Sequence, residues 1–301
     1  MQALSFECAQ AHWLDHLRYV RDASDLTIRS YSIDLKQFTD HVRSSGLSDY
    51  TRVGMDHVYA FVKDQKQRAL TNTSVLRKIA AVRSLFRHMM HFSQIQTDPF
   101  DRVKIGLRKE KRAPTYMDKI EVFQLLDEME KHYSNPFQAE RNRALIEFLY
   151  ATGCRLSELL GMDVADLNFT TKSARVLGKG KKERMLFFHD TAEKTLKKYL
   201  HRRKEYFGRN DGPVFVTERG SRLSRRGVQH MLEDLTARMN LRIDLHAHLF
   251  RHVFTTHLVD GGADVFALKD LLGHESIRTT QLYVHNTPAR IRKVYDQTHP
   301  R

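Results

Sequence analysis

The chain has 301 residues, enough for two domains, and its 50 Lys and Arg against 36 Asp and Glu give a formal net charge of +14. A surplus of that size points to a polyanionic partner, a nucleic acid or an anionic membrane surface. At 41% hydrophobic residues the chain is no disordered tail protein, and Cys8 and Cys154 are too few for a disulfide framework or a Cys-rich zinc site.

The expected compartment is a reducing cytoplasm. There is no apolar run long enough to span a membrane. The first ten residues include Glu7 and lack the basic and apolar segments of a signal peptide.

The first hundred residues read as helices. In Asp25–Val42, residues Ile28, Tyr31, Leu35, Phe38 and Val42 recur at helical spacing behind the cap Ser24 or Asp25. In Val75–His91 the stripe is Val75, Ile79, Val82, Phe86 and Met89. The opposite face is expected to carry Arg77, Ala81, Ser84 and His88, with Arg87 on its flank. That face suits either solvent or the phosphate backbone of a duplex. Leu4–Val20 and Asp56–Gln67 complete a four-helix unit over residues 1–101. Asp98-Pro99 ends the pattern, because proline lacks an N–H and restricts its predecessor. Residues 102–116 are dense in basic charge and read as an interdomain linker, either solvated or laid along a duplex.

A second domain is expected over 117–286. Asp118 and Glu121 form a capping box ahead of helices at Ile120–Glu130 and Gln138–Ala151. The period then shortens. Val164–Phe169, Ser173–Leu177 and Arg184–Phe188 read as strands, the last two joined by the basic, glycine-containing turn Gly178-Lys-Gly-Lys-Lys182. Helices follow at Thr191–Phe207, from the cap Ser224 to Met239, and at Leu249–Val259, Val265–Leu272 and Ile277–Val284, with a short strand at Val214–Val216. A last short helix is expected at Arg290–Gln297. The fold class is mainly α with a small antiparallel sheet.

Four features of this second domain can carry chemistry. Arg155 begins a helix just after Gly153, where its charge opposes the helix dipole. Either a bound anion sits there or Arg155 pairs with Glu158 one turn on. Lys179 opens the hairpin turn, with Lys181, Lys182 and Arg184 close by. It is a solvated residue or a mobile donor to a phosphate or leaving oxygen. His248 and Arg251 share a helix face, as a packed pair or as an imidazole and a guanidinium suited to one phosphate. His274 follows Leu272-Gly273, and Tyr283 lies nine residues on, either packed or an activated nucleophile. His246, His248, His252 and His257 cluster in sequence, but HExxH is absent and no Cys pair supports zinc. The glycine patterns of nucleotide-binding loops are also missing. The expectation is chemistry with no metal and no nucleotide cofactor.

Taken in order, these features resemble the tyrosine recombinase, or phage integrase-like, family over residues 115–298. The helical front is similar to that family's SAM-like core-binding domain. The resemblance rests on TG-C-R-L-SEL around Arg155, the hairpin Lys179, H-x-x-R at His248 and Arg251, L-G-H at His274, and Tyr283. GKGKKER, LLGHESIRTTQLYVH and the closing VYDQTHPR resemble the Xer subgroup of chromosome-dimer, plasmid and transposon resolvases.

The resemblance implies a metal- and ATP-independent strand transfer. Tyr283 would attack a DNA phosphodiester, giving a 3′-phosphotyrosine and a free 5′-hydroxyl. Arg155 and Arg251 would clamp the phosphate, and Lys179 would protonate the leaving oxygen. His248 and His274 would hydrogen-bond the phosphate. The implied partner is double-stranded DNA with inverted-repeat sites. It would be contacted by Arg77, Ser84, Arg87, His88, Lys181 and Lys182, in a homotetramer or a heterotetramer with a second recombinase. Residues 287–301 would pass to a neighbouring protomer or simply fray. A type IB topoisomerase-like enzyme and a non-catalytic DNA-binding protein are the alternatives.

Overall fold

The computed structural model describes residues 5–108, 116–178, 183–264, 268, 271 and 272. The chain divides into two compact units, Met1–Ala113 and Pro114–Arg301.

The first unit is built on four helices, α1 (Phe6–Asp15), α2 (Asp25–Ser44), α3 (Met55–Gln67) and α4 (Asn72–His91). Local side chains start them: Ser24 Oγ accepts the Thr27 N–H, and Thr71 Oγ1 accepts that of Ser74. The chain leaves α1 through one π-helical turn, His16–Val20, before Asp22 adopts a left-handed φ of 48°. Trp13, Leu35, Phe38, Phe61, Val82 and Phe86 fill the core between the helices.

The expected linker begins later than residue 102. Val103 is buried, and Ile105 and Leu107 pack against the helical core, so this stretch of alternating apolar residues belongs to the first unit. Its basic neighbours conceal that pattern in the sequence.

The second unit is organised around α6 (Pro136–Thr152), which is buried on nearly every side and so shows little amphipathic pattern. Around it pack α5 (Lys119–Glu128), α8 (Asp190–Phe207) and α10 (Ala247–Asp260), while α9 (Arg225–Arg238) packs against α7 (Leu156–Gly161) and α10. Asp118 and Glu121 form the expected reciprocal capping box, with bonds of 2.8 Å each way, and Ser224 caps α9.

The sheet is a three-stranded antiparallel meander, β1 (Leu167–Asn168), β2 (Ser173–Leu177) and β3 (Glu183–Phe187). Its hairpin register runs from Ser173 opposite Phe187 to Leu177 opposite Glu183. Two expected strands differ. Val164–Asp166 is a 3-10 turn, because the Asp166 carboxylate accepts the Asp163 N–H and closes it, leaving a strand of two residues. Val214–Val216 joins no sheet; Pro213 and Val216 make only isolated bridges, to Asp163 and Arg222. Proline has no N–H to extend a ladder. Of the helix expected at Val265–Leu272, Leu268, Leu271 and Leu272 are helical, and the others lie outside the described residues. The helices expected at Ile277–Val284 and Arg290–Gln297 lie outside them entirely. No described helix is long and apolar enough to cross a membrane.

Candidate active site

Helix α6 ends at Gly153, whose φ of 58° is left-handed and whose N–H closes on the Leu149 carbonyl. Phe254 of α10 lies directly against this glycine. A Cβ there would stand 2.7 Å from Cε1 and 2.9 Å from Cγ of the ring, and nearer still to Cδ1. The sequence therefore places a glycine where both the backbone and the neighbouring helix demand one. Cys154 follows, fully buried. Burial pushes its thiol up to about 11, against the weaker pull of the Thr152 hydrogen bond, so it is no thiolate nucleophile at neutral pH.

Arg155 then caps α7 at the unfavourable end of the dipole. Glu158 compensates for it. One carboxylate oxygen accepts the Arg155 N–H at 2.7 Å, and the other accepts Arg155 Nη1 at 2.9 Å. The same carboxylate also accepts Arg184 of β3, Nη2 at 2.8 Å and Nε at 3.3 Å. Burial opposes the charge on Glu158, but the hydrogen bonds from Arg184 and the Arg155 backbone outweigh it and hold the carboxyl below its ordinary range.

Arg251, one turn into α10 and 3% exposed, donates Nη1 to the Gly153 carbonyl at 2.7 Å and Nη2 to the Leu272 carbonyl at 2.8 Å. Arg184 Nη1 reaches the Leu271 carbonyl. Two guanidiniums, from the start of α7 and from β3, thus meet on the Glu158 carboxylate, and a third, from α10, is held by the Gly153 and Leu272 carbonyls.

His248 stands one turn before Arg251 on α10, with its side chain exposed. The protein packed around the ring, then the charges of Arg251, His246 and Arg155, push its pKa below the ordinary value. The imidazole is therefore neutral near pH 7 and able to accept a proton. The other histidines of this stretch have structural duties. His246 Nδ1 accepts the Leu249 N–H as the cap of α10, and His257 bonds the Tyr150 hydroxyl and the Met117 carbonyl.

Of the six residues expected to act together, Arg155, Arg251 and His248 are thus brought to one place. Lys179, His274 and Tyr283 lie outside the described residues, as do Lys181, Lys182 and the expected exchange segment 287–301. Sequence reasoning missed Arg184, noted only as a neighbour of the hairpin lysines, and the double duty of Glu158. A signal was present: Arg184 alternates inward with Leu186 on β3, and a charge on the inner face of a short strand needs a buried partner.

On α4 the outcome is mixed. Arg77 and Arg87 are exposed and Ser84 half-buried. Arg77 is forked onto Asp34 of α2, whose buried carboxylate takes both Nη1 and Nη2, and it also bonds Ser30 Oγ at 2.8 Å. His88 and Ala81 are buried, which corrects the expected solvent face. Helices α1, α2 and α3 all pack on α4, so its buried arc is wider than one stripe. His88 Nε2 lies 3.0 Å from His12 Nδ1, in contact with α1 rather than open to a ligand.

The phage integrase family matches residues 115–290, and the N-terminal SAM-like domain of phage integrases matches residues 11–91. The chain belongs to the phage integrase family. It is 34% identical to tyrosine recombinase XerC of Oceanobacillus iheyensis over 96% of this chain and 95% of that protein. It is 30% identical to tyrosine recombinase XerC of Bacillus subtilis with the same coverage. Among solved structures it is similar to the Tn1549 transposon integrase in complex with a circular intermediate DNA, with a TM-score of 0.79, 15% identity, and 98% and 99% of the two chains covered. It is also similar to XerH recombinase bound to a palindromic difH substrate, with a TM-score of 0.75, 22% identity, and 96% and 84% covered. These two likenesses establish the fold. With the relatives, the family member is a Xer-like tyrosine site-specific recombinase, an enzyme of DNA recombination, and the topoisomerase and non-catalytic readings are not favoured.

Proposed function

We propose that this recombinase cuts and rejoins double-stranded DNA at inverted-repeat sites through a 3′-phosphotyrosine intermediate and a Holliday junction. The observation that carries the reading is the convergence of Arg155, Arg251 and His248 around Glu158 and Arg184. Phosphoryl transfer needs positioning and charge stabilisation more than covalent assistance. Held guanidiniums supply that without reorganising at the moment of reaction.

In this reading Tyr283 Oη attacks the phosphorus in line. The P–O bond to the 5′ carbon's oxygen breaks, and the phenolic proton passes to neutral His248. Lys179 delivers a proton to the departing 5′-oxygen, and His274 hydrogen-bonds the phosphate. Because the ester bond is kept as a phosphotyrosine, the 5′-hydroxyl of a second strand can reverse the step without ATP or a metal. Arg77, Ser84 and Arg87 of α4, with Lys181 and Lys182 of the hairpin, are the proposed contacts to the duplex; His88 is excluded by its burial. The proposed assembly is a tetramer of this chain, or of this chain with a second recombinase, linked through residues 287–301, in the cytoplasm where its DNA lies.

The test is Tyr283→Phe with a nicked suicide substrate that traps the covalent adduct. The variant is expected to bind the site and form no adduct. An adduct that persists removes Tyr283 from the nucleophile's role.

A further inference from the structure

A second basic site lies in the same unit and shares no residue with the arginine cluster. A cavity of about 390 Å³ opens between the end of α8, the loop at 208–214 and the turn at 217–221. Arg203, Arg209 and Arg219 line it, against a single lining carboxylate, Asp211, and its apolar wall includes Phe207.

Arg203 is the unusual member. It is only 3% exposed, yet it carries a permanent charge, whose burial is costly unless it is paired and hydrogen-bonded. Its Nη2 donates to the backbone carbonyl of Asp211, which brings the guanidinium to the cavity wall. Its Nη1 is buried and has no hydrogen-bond acceptor. Burial pulls its pKa down, but an arginine does not shed its proton, so the charge and the unspent donor both remain.

Arg209 and Arg219 are exposed on the rim, and Arg209 has only a distant 3.7 Å partner in the equally exposed Asp211. Gly220, at a φ of 75°, is what brings the 217–221 turn against Phe207; a Cβ there would stand 3.4 Å from the ring. The side chains around the cavity thus offer cationic forks and one aromatic edge, with little competing negative charge.

We propose that this cavity binds a phosphate ester, with Arg203 completing its hydrogen bonds on one oxygen and Arg209 and Arg219 closing over the others. Bidentate guanidinium donation matches the geometry of a phosphate, and the chemistry is the same whether it belongs to a free nucleotide or to a backbone phosphate of bound DNA. The two sources are separable by experiment.

The full chain is titrated with adenosine 5′-monophosphate by calorimetry. Its affinity for a duplex carrying the recombination site is then measured across a series of salt concentrations. Arg209→Gln and Arg219→Gln are compared with the parent; both sit on the rim and leave the core intact. Arg203→Lys keeps the charge but removes the fork, and its urea midpoint is checked first. If a free nucleotide is the ligand, the monophosphate binds and each rim variant weakens it at least tenfold.

If the ligand is a DNA phosphate, the monophosphate gives no heat. The slope of log affinity against log salt then falls by about 0.9 in the rim variants, while Arg203→Lys, which keeps its charge, holds the parental slope and loses affinity about equally at every salt concentration. A slope change in Arg219→Gln with Arg203→Lys at the parental affinity at every salt concentration is a surface contact and overturns the proposal. So does an unchanged slope with no nucleotide binding. Should Arg203→Lys fail to fold, Arg209→Gln decides: parental behaviour in both titrations refutes the site. The nucleotide titration is indifferent to whether Tyr283 cleaves DNA, so its failure and that of the recombination chemistry are distinguishable.

Discussion

Gly153→Ala is the substitution for which the structure gives the most definite cost. Two penalties add. An alanine held at a φ of 58° pays about 1–2 kcal/mol for the left-handed region. Its methyl group also meets the Phe254 ring at 2.7 and 2.9 Å, and overpacking of this kind costs about 1–3 kcal/mol. The expected loss is therefore about 3 kcal/mol, measured as the change in urea unfolding free energy followed by far-UV circular dichroism. Trp13, the one tryptophan, lies in the first unit, so its fluorescence reports separately on that unit.

The two penalties can be separated. In a Phe254→Ala background the ring is gone, and the cost of Gly153→Ala should drop to about 1–2 kcal/mol, the backbone part alone. Because the Gly153 carbonyl is the acceptor for Arg251 Nη1, any shift of the backbone here should also slow DNA cleavage. A Gly153→Ala protein within 0.5 kcal/mol of the parent would refute the close approach, as would an equal cost in both backgrounds.

Glu158→Gln keeps the shape of the buried side chain but removes the charge shared by Arg155 and Arg184. Breaking a buried pair costs about 3–5 kcal/mol, and since Arg155 is 35% exposed we expect the lower end, with cleavage slowed at least tenfold. Wild-type cleavage would show that the carboxylate does not position the guanidiniums. His88 predicts a pH dependence in the first unit. Burial, then the nearby His16, His12 and His91, lower its pKa to about 4, so the folded state binds its proton less readily than the unfolded chain. Its contribution is present above about pH 6.5 and is lost as the pH falls from there toward 4, on the order of 3 kcal/mol in all. Urea midpoints read from Trp13 fluorescence should fall across that window in the parent and less in His88→Leu; parallel curves would contradict it. On the proposed chemistry, Lys179→Ala slows cleavage by about a hundredfold or more while binding is kept, and a 5′-bridging sulfur substrate restores it, since a thiolate needs no proton. Absence of rescue would remove Lys179 from the acid role.

What could be read before folding was whatever depends on near neighbours along the chain. The capping box at Asp118 and Glu121, the caps Ser24 and Ser224, the helix boundary at Gly153 and, as one of two readings of Arg155, its pairing with Glu158 all act within a turn or two. Residue type and spacing suffice to foresee them. The hairpin of β2 and β3 belongs with them, because its alternation and its glycine-bearing turn are local. The ordered arginine, histidine and tyrosine motifs were legible for the same reason, and they carried the family resemblance.

The packing of distant segments decided the rest. Three helices close around α4, so His88 and Ala81 disappear from a face that periodicity leaves open. Val103, Ile105 and Leu107 join a core their basic neighbours obscure. Arg184 reaches Glu158 across 26 positions, and Arg251 reaches the Gly153 carbonyl across 98. Periodicity says that a residue lies on a stripe, but burial depends on how many partners cover the helix. A buried charge is tolerated only where a partner from elsewhere in the chain arrives to meet it.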